Sequence, residues 1–232
     1  MKSLIVNADD FGLCEEINEG IIEAHVRGIV TSASLMVFRQ AAIHAVNLAR
    51  RRPALSLGLH LDLGEWQFHD RQWIAVHAPV SLDDATAVAD QIAKQVARFR
   101  LLCRRHPTHL DSHQNVHLRE PVLSEMVRLA QALHVPLRGV SIDVHHCRAY
   151  YGRDRNNVAI PDAIGVESLI RLLSKLPDGF TELSCHPGQA MKLITGYDEE
   201  RRTELAALID PRVKAAISEN KIDLRSYHRL YQ

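Results

Sequence analysis

The sequence predicts an α/β fold: a single (β/α) barrel-like domain of seven parallel strands, with its working face at their carboxyl ends. Three observations carry this expectation. Apolar strand-like runs alternate with helical periodicity along all 232 residues, and no repeat, low-complexity tract or linker divides them. The chain has no Gly-x-Gly-x-x-Gly turn, which a dinucleotide-binding doubly wound sheet would carry. Polar and ionisable residues recur at the ends of many strands, as on the active face of a barrel. A flavodoxin-like sheet is the runner-up, and one domain spanning 1–232 is the expected organisation.

The elements follow in order. Ser3–Asn7 reads as a buried strand and Glu15–Arg27 as a helix with Gly28 as its stop signal. Thr31–Val37 is a second strand, and Ala41–Arg51 a helix ended by Arg52 and Pro53. Leu55–Leu63 is the third strand: its leucines alternate strictly, so Ser56, Gly58, His60 and Asp62 share the other face. In a barrel that small and polar set lines the interior. Residues 64–80 show no clear period and read as a loop. Leu82–Arg105 is a long helix with Ser81 as its N-cap and Asp84 three residues on. Thr108–Asp111 and Arg138–Asp143 read as strands four and five around a helix at Glu120–Leu133. A polar loop over Tyr150–Pro161 and a helix over Gly165–Lys175 lead to strand six, Phe180–Cys185. A helix over Glu199–Glu219 precedes strand seven, Ile222–Tyr227.

Composition narrows the function classes. Apolar residues make up 46% and charged residues 24%, which supplies a sizeable core and argues against disorder. Formal charge is zero with no long basic run, so neither nucleic acid nor a lipid surface is an expected partner. No apolar stretch reaches the length of a membrane span, and the amino terminus shows no signal-peptide pattern. The cysteines (Cys14, Cys103, Cys147, Cys185) lie far apart without a CxxC pair and read as free thiols of a cytoplasmic protein.

Histidine is unusually abundant, fourteen against five phenylalanines, and it gathers in short polar stretches. These are Gly58–Asp62 (GLHLD), His109–His117 (HLDSHQNVH) and Ser184–Gly188 (SCHPG), while Asn7–Gly12 (NADDFG) supplies paired carboxylates. Imidazole plus carboxylate is the ligand set for a catalytic divalent metal with an open coordination position. Taken singly, each stretch has a plainer reading, as a turn, an N-cap or a solvated histidine. All four would then have to fall at strand ends by chance. A metal-dependent hydrolase is the expectation, and the remaining histidines, His146 among them, read as structural or solvated.

NADDFG, GLHL at Gly58–Leu61, THLDSH at Thr108–His113 and ELSCHPG at Glu182–Gly188, in this order, resemble the signature of the YdjC-like carbohydrate deacetylases. That group includes chitooligosaccharide and hopanoid-biosynthesis-associated deacetylases, and the resemblance runs over essentially the whole chain. It implies a barrel-like fold and a divalent metal, magnesium by family preference, with zinc, manganese or cobalt also suited to the ligands. It implies removal of an acetyl group from an N-acetylated sugar or glycoconjugate. By motif, Asp10, His60 and His113 match the metal ligands and Asp9 the catalytic acid/base position. Two departures concern the substrate. Asn115 stands where a further histidine is usual, and the segment between His60 and His109 is shorter than in the chitooligosaccharide-specific members.

Amide hydrolysis suggests the remaining roles. Asp9 takes the proton of the attacking water, and His186 protonates the leaving amine. Asp111 orients a ligating imidazole through its second nitrogen. His109, His117 and Asn115 are candidates for supporting or substrate contacts. Arg138 either binds a sugar hydroxyl or carboxylate, or forms a structural ion pair. A homodimer is compatible with the sequence. Two other classes compete: a metal-dependent phosphoesterase or isomerase on a similar barrel, and a non-catalytic sugar-binding protein.

Overall fold

The computed structural model describes residues 1–69, 72–154, 156–189 and 197–230. Its main sheet is parallel throughout and contains β1 (Lys2–Phe11), β2 (Ser32–Leu35), β3 (Ser56–Leu61), β6 (Leu110–Ser112), β7 (Val144–Cys147), β8 (Gly179–Cys185) and β9 (Asp223–Leu224). The order across the sheet is β6-β3-β2-β1-β8-β7, with β9 also on β1. From β1 the strands therefore progress forward through β2, β3 and β6 on one side and backward through β8 and β7 on the other. That is the cyclic order of a barrel, without the reversal of a doubly wound sheet. The sheet curls into a half-barrel that is open between β6 and β7, and Arg138 bonds acids of β6, β1 and β8 across its interior.

Helices α1 (Glu15–Arg27), α2 (Ala42–Arg50), α3 (Ala85–Cys103), α4 (Val122–Leu133), α5 (Val166–Ser174), α6 (Asp198–Ile209) and α7 (Pro211–Glu219) flank the sheet. One continuous apolar cluster joins Leu57, Leu59 and Leu61 of β3 to Val88, Ile92 and Phe99 of α3. Ser56, Gly58 and His60 occupy the opposite face, as the period-two pattern requires. A Cβ on Gly58 would come within 2.4 Å of the His109 ring, so the bare backbone of β3 is what lets that imidazole into the barrel. No helix among the described residues is long and apolar enough to cross a membrane.

Five expectations are corrected. Residues 64–80 are not an irregular loop: they contain an antiparallel hairpin, β4 (Glu65–His69) and β5 (Gln72–His77), outside the main sheet. The stretch 138–143 is not a strand. Leu137 makes one bridge to Leu110, the chain turns at Gly139 with φ 66°, and pairing resumes only at Val144. The helix expected over 199–219 is two helices, because Pro211 cannot donate a backbone bond, and Asp210 instead caps α7 at Arg212 N–H. The last strand is only two residues long. Asp84, rather than Ser81, caps α3, accepting from the backbone of Thr86 and Ala87 at 3.0 Å each.

Candidate active site

Successive side chains of a strand point to opposite faces, so adjacent aspartates would ordinarily diverge. At the end of β1 they do not. The register shifts between Ala8 and Phe11, and Asp10 takes a left-handed conformation with φ 65°. Aspartate tolerates that region better than most residues, at a cost of about 1–3 kcal/mol recovered from its contacts. Both carboxylates thereby face the same cavity, and both are buried.

Asp10, His60 and His113 each offer a ligand atom within 4.8 Å of the others. Asp10 Oδ1 lies 3.4 Å from His60 Nε2 and 3.0 Å from His113 Nδ1. Each group is braced from behind. His60 Nδ1 is 2.7 Å from Asp111 Oδ1, His113 Nε2 is 2.7 Å from Glu65 Oε2, and Arg201 donates to Asp10 Oδ2 at 2.5 Å. Burial pushes the His60 imidazole down, but Asp111 and Asp10 outweigh it and hold it up at about 10. His113 is likewise raised to about 9, against burial, by Asp10 and Glu65. Burial would raise Asp10, yet Arg201 and His113 keep it well below the usual carboxylate range. One anionic oxygen and two imidazole nitrogens converging on a point, where positive charge is strongly favoured, fit a divalent cation.

Asp9, His60 and Asp111 form a second such grouping, but it does not fit a cation. Arg138 already places a guanidinium there. It binds both oxygens of Asp9 at 2.6 and 2.7 Å, and reaches Asp111 Oδ2 at 2.8 Å and Glu182 Oε1 at 2.7 Å. Arg138 forms a buried ion-pair network and also lines the cavity. Burial alone would raise Asp9, but Arg138 outweighs it and holds Asp9 below its ordinary value, so this carboxylate stays ionised. His186 stands across the cavity with Nε2 3.8 Å from Asp9 Oδ2.

The placement of His186 depends on packing that motif reading did not reveal. A Cβ on Gly20 of α1 would meet Gly188 Cα at 2.5 Å, so the two glycines let the helix press against the loop after β8. Glu204 of α6 accepts from the His186 backbone N–H at 2.5 Å and from the Tyr197 hydroxyl at 2.8 Å. Its Oε1 is also 3.8 Å from His186 Nδ1, a buried nitrogen with no hydrogen-bond partner among the described residues.

The cavity encloses about 290 Å³. Asp9, Asp10, His60, His113 and His186 form its floor, and aromatic side chains form its walls. Tyr151 and Tyr197 stack at 5.2 Å on one side, while Trp66 and Trp73 come from the β4–β5 hairpin. Asn115, left-handed at φ 54° and exposed, lines it too.

His109 and His117 do not reach the cavity. His109 stacks on Tyr227 at 4.0 Å and lies 3.0 Å from Ser34 Oγ. His117 sits between Ser112 Oγ at 2.6 Å and the Arg138 carbonyl at 3.0 Å. Burial lowers them to about 3 and about 4. His146, in contrast, lies in the cavity wall, 3.2 Å from Ser184 Oγ. Sequence reasoning also missed Glu65, Arg201 and Glu204. Alternating aromatic residues in 65–77 were an available signal for the hairpin that carries Glu65. Nothing local separates Arg201 and Glu204 from the solvated charges around them.

A family model for YdjC-like proteins matches residues 3–219. The chain is 32% identical to a chitooligosaccharide deacetylase of Serratia marcescens, over 99% of both chains. It is 31% identical to a carbohydrate deacetylase of Brevibacillus brevis, over 98% of this chain and 99% of the relative. Among solved structures, an Enterococcus faecalis protein named as a candidate for cellobiose-phosphate cleavage is similar with a TM-score of 0.79. It is 28% identical and is matched over 100% of this chain and 99% of its own.

Proposed function

The chain belongs to the YdjC-like protein family, and on that premise we propose that it is a metal-dependent hydrolase releasing acetate from an N-acetylated sugar or glycoconjugate. Relatives at 32% and 31% identity are named chitooligosaccharide and carbohydrate deacetylases. The observation that carries the reading is the convergence of Asp10, His60 and His113 beside an ionised aspartate and an opposing imidazole.

Asp10, His60 and His113 would hold the cation. Bound there, it would polarise the acetyl carbonyl and make a water acidic enough for a weak base to deprotonate. Asp9 is that base: Arg138 fixes its orientation and keeps it anionic, which leaves it unprotonated but weakly basic, so it can act only on a water already made acidic. His186 delivers a proton to the departing amine from the other side of the cavity. Asp111 accepts from His60 Nδ1, which leaves the Nε2 lone pair directed at the site, and Glu65 braces His113 in the same way. Arg201 aims Asp10. Aromatic walls suit the apolar faces of sugar rings.

The family resemblance implies magnesium, whereas two imidazole donors favour a softer ion such as zinc, with cobalt and manganese also compatible with the mixed imidazole and carboxylate set. The test is acetate release from a panel of N-acetylated mono- and oligosaccharides, before and after chelation, with each ion restored in turn. Activity that survives complete metal removal would sink the mechanism. A protein that binds these sugars and never releases acetate would instead be a binding protein.

A further inference from the structure

Among the described residues the β4–β5 hairpin forms a two-stranded sheet apart from the main one, yet it carries both tryptophans of the chain, Trp66 and Trp73. Gln114 is one of the side chains that tie it to the rest of the domain. Gln114, left-handed at φ 52°, follows the ligand His113 directly. Its Oε1 accepts from the Trp66 backbone N–H at 3.0 Å, and its Nε2 donates to the Trp66 carbonyl at 2.7 Å. The amide thus completes the hydrogen bonds that a neighbouring strand would otherwise supply. Nε2 also lies 3.3 Å from Glu65 Oε1, whose other oxygen meets His113. The hairpin and the His113 turn are therefore tied at two adjacent residues. An exposed amide held this way in a left-handed conformation is not accounted for by the core.

We propose that Gln114 is a positioning residue for sugar selectivity: its amide seats the tryptophan hairpin beside the metal-ligand turn and so fixes one wall of the sugar site. Both tryptophans line the cavity; on this proposal a ring stacked on them lies beyond the ring bearing the reacting acetamide, so that the seat matters more for an oligosaccharide than for a monosaccharide. The identity of the substrate rests on the deacetylase reading. The seat itself does not, because tryptophan emission comes from this hairpin alone.

The test compares the full-length wild type with Gln114→Ala and Gln114→Glu. The second keeps the acceptor for Trp66 N–H but turns a carboxylate towards the Trp66 carbonyl and Glu65. Both variants should retain wild-type metal content by elemental analysis. Their tryptophans should become more accessible to acrylamide, with emission shifted to the red. KM for N,N′-diacetylchitobiose should rise about tenfold, the size of one or two net hydrogen bonds. KM for N-acetylglucosamine should change less, and kcat should hold within about threefold. Unchanged quenching, or an unchanged ratio of the two KM values, would overturn the proposal, as would metal loss comparable to that of His113→Ala. If the wild type binds both sugars without releasing acetate, the deacetylase reading fails by itself. Weaker calorimetric binding of the disaccharide by the variants would then still support the seat.

Discussion

Four buried histidines divide into two pairs that respond to burial in opposite ways. His60 and His113 are held up at about 10 and about 9, while His109 and His117 fall to about 3 and about 4. Depth is not the difference, because all four are buried. Partners are. The first pair faces carboxylates on both ring nitrogens, from Asp10, Asp111 and Glu65. The second faces hydroxyls and a backbone carbonyl. One pair forms a place where positive charge is wanted, and the other fills the barrel as neutral polar packing. Histidine content alone therefore does not separate the proposed metal ligands from packing histidines; the second partner of each ring does.

The largest effect should come from exchanging members of the two pairs. His60→Ala or His113→Ala removes one of three protein ligands, so metal content and activity should vanish together. His117→Ala should keep its metal and instead lose roughly 1–3 kcal/mol of stability, because the Arg138 carbonyl loses its partner and Ser112 Oγ keeps only the residue 117 backbone N–H. Elemental analysis and denaturant unfolding on the same preparations decide it. Full metal in both ligand variants would erase the distinction.

Next in size is the contrast between the neighbouring aspartates. Asp9→Asn should bind metal normally and lose about 10²–10⁴-fold in kcat, since the amide keeps the shape but cannot accept a proton. Asp10→Asn should lose metal and rate together. Near-normal turnover in Asp9→Asn would make Asp9 a partner of Arg138 and nothing more.

A smaller effect is expected at the brace. Glu65→Gln should weaken metal binding by about 10–100-fold, the usual range for a group that orients a ligand from behind. A competitive chelator titration measures it, and an unchanged affinity would reduce Glu65 to an anchor of the hairpin.

Legibility from sequence follows the same division. The β3 face was readable because strict leucine alternation reports which residues look inward, and it placed His60 in the barrel. The pair of aspartates was readable as a motif, but the bulge and left-handed Asp10 that make them converge were not. Arg138 was assigned to a strand that does not form, because an apolar segment after a turn resembles one, and its three acid partners come from three distant strands. Glu65 was lost with the hairpin. Arg201 and Glu204 sit in an acidic and basic run that has the composition of a solvated helix face, yet both are buried against the site. Their role is set by where α6 docks, which no local pattern encodes.

The charge assignment itself is tested by pH dependence. His60 and His113 are raised from an unfolded value of about 6.5 to about 10 and about 9. In metal-free protein their contribution to stability is fully present below the unfolded value and is lost as pH rises through 9 to 10. His109 and His117 are lowered, so the unfolded chain takes up protons below about 6.5 that the folded one refuses, and stability falls towards acid. Metal-free protein should therefore have its highest Tm near neutrality and decline on both sides. Binding a cation displaces the two raised protons, so affinity should strengthen with pH by up to about 100-fold per unit below pH 9. Added metal should then protect more at pH 8.5 than at pH 6.5. A metal-free Tm that is flat between pH 7 and 9.5, or equal affinity at the two pH values, would mean that His60 and His113 are already neutral and that the two pairs do not differ in charge.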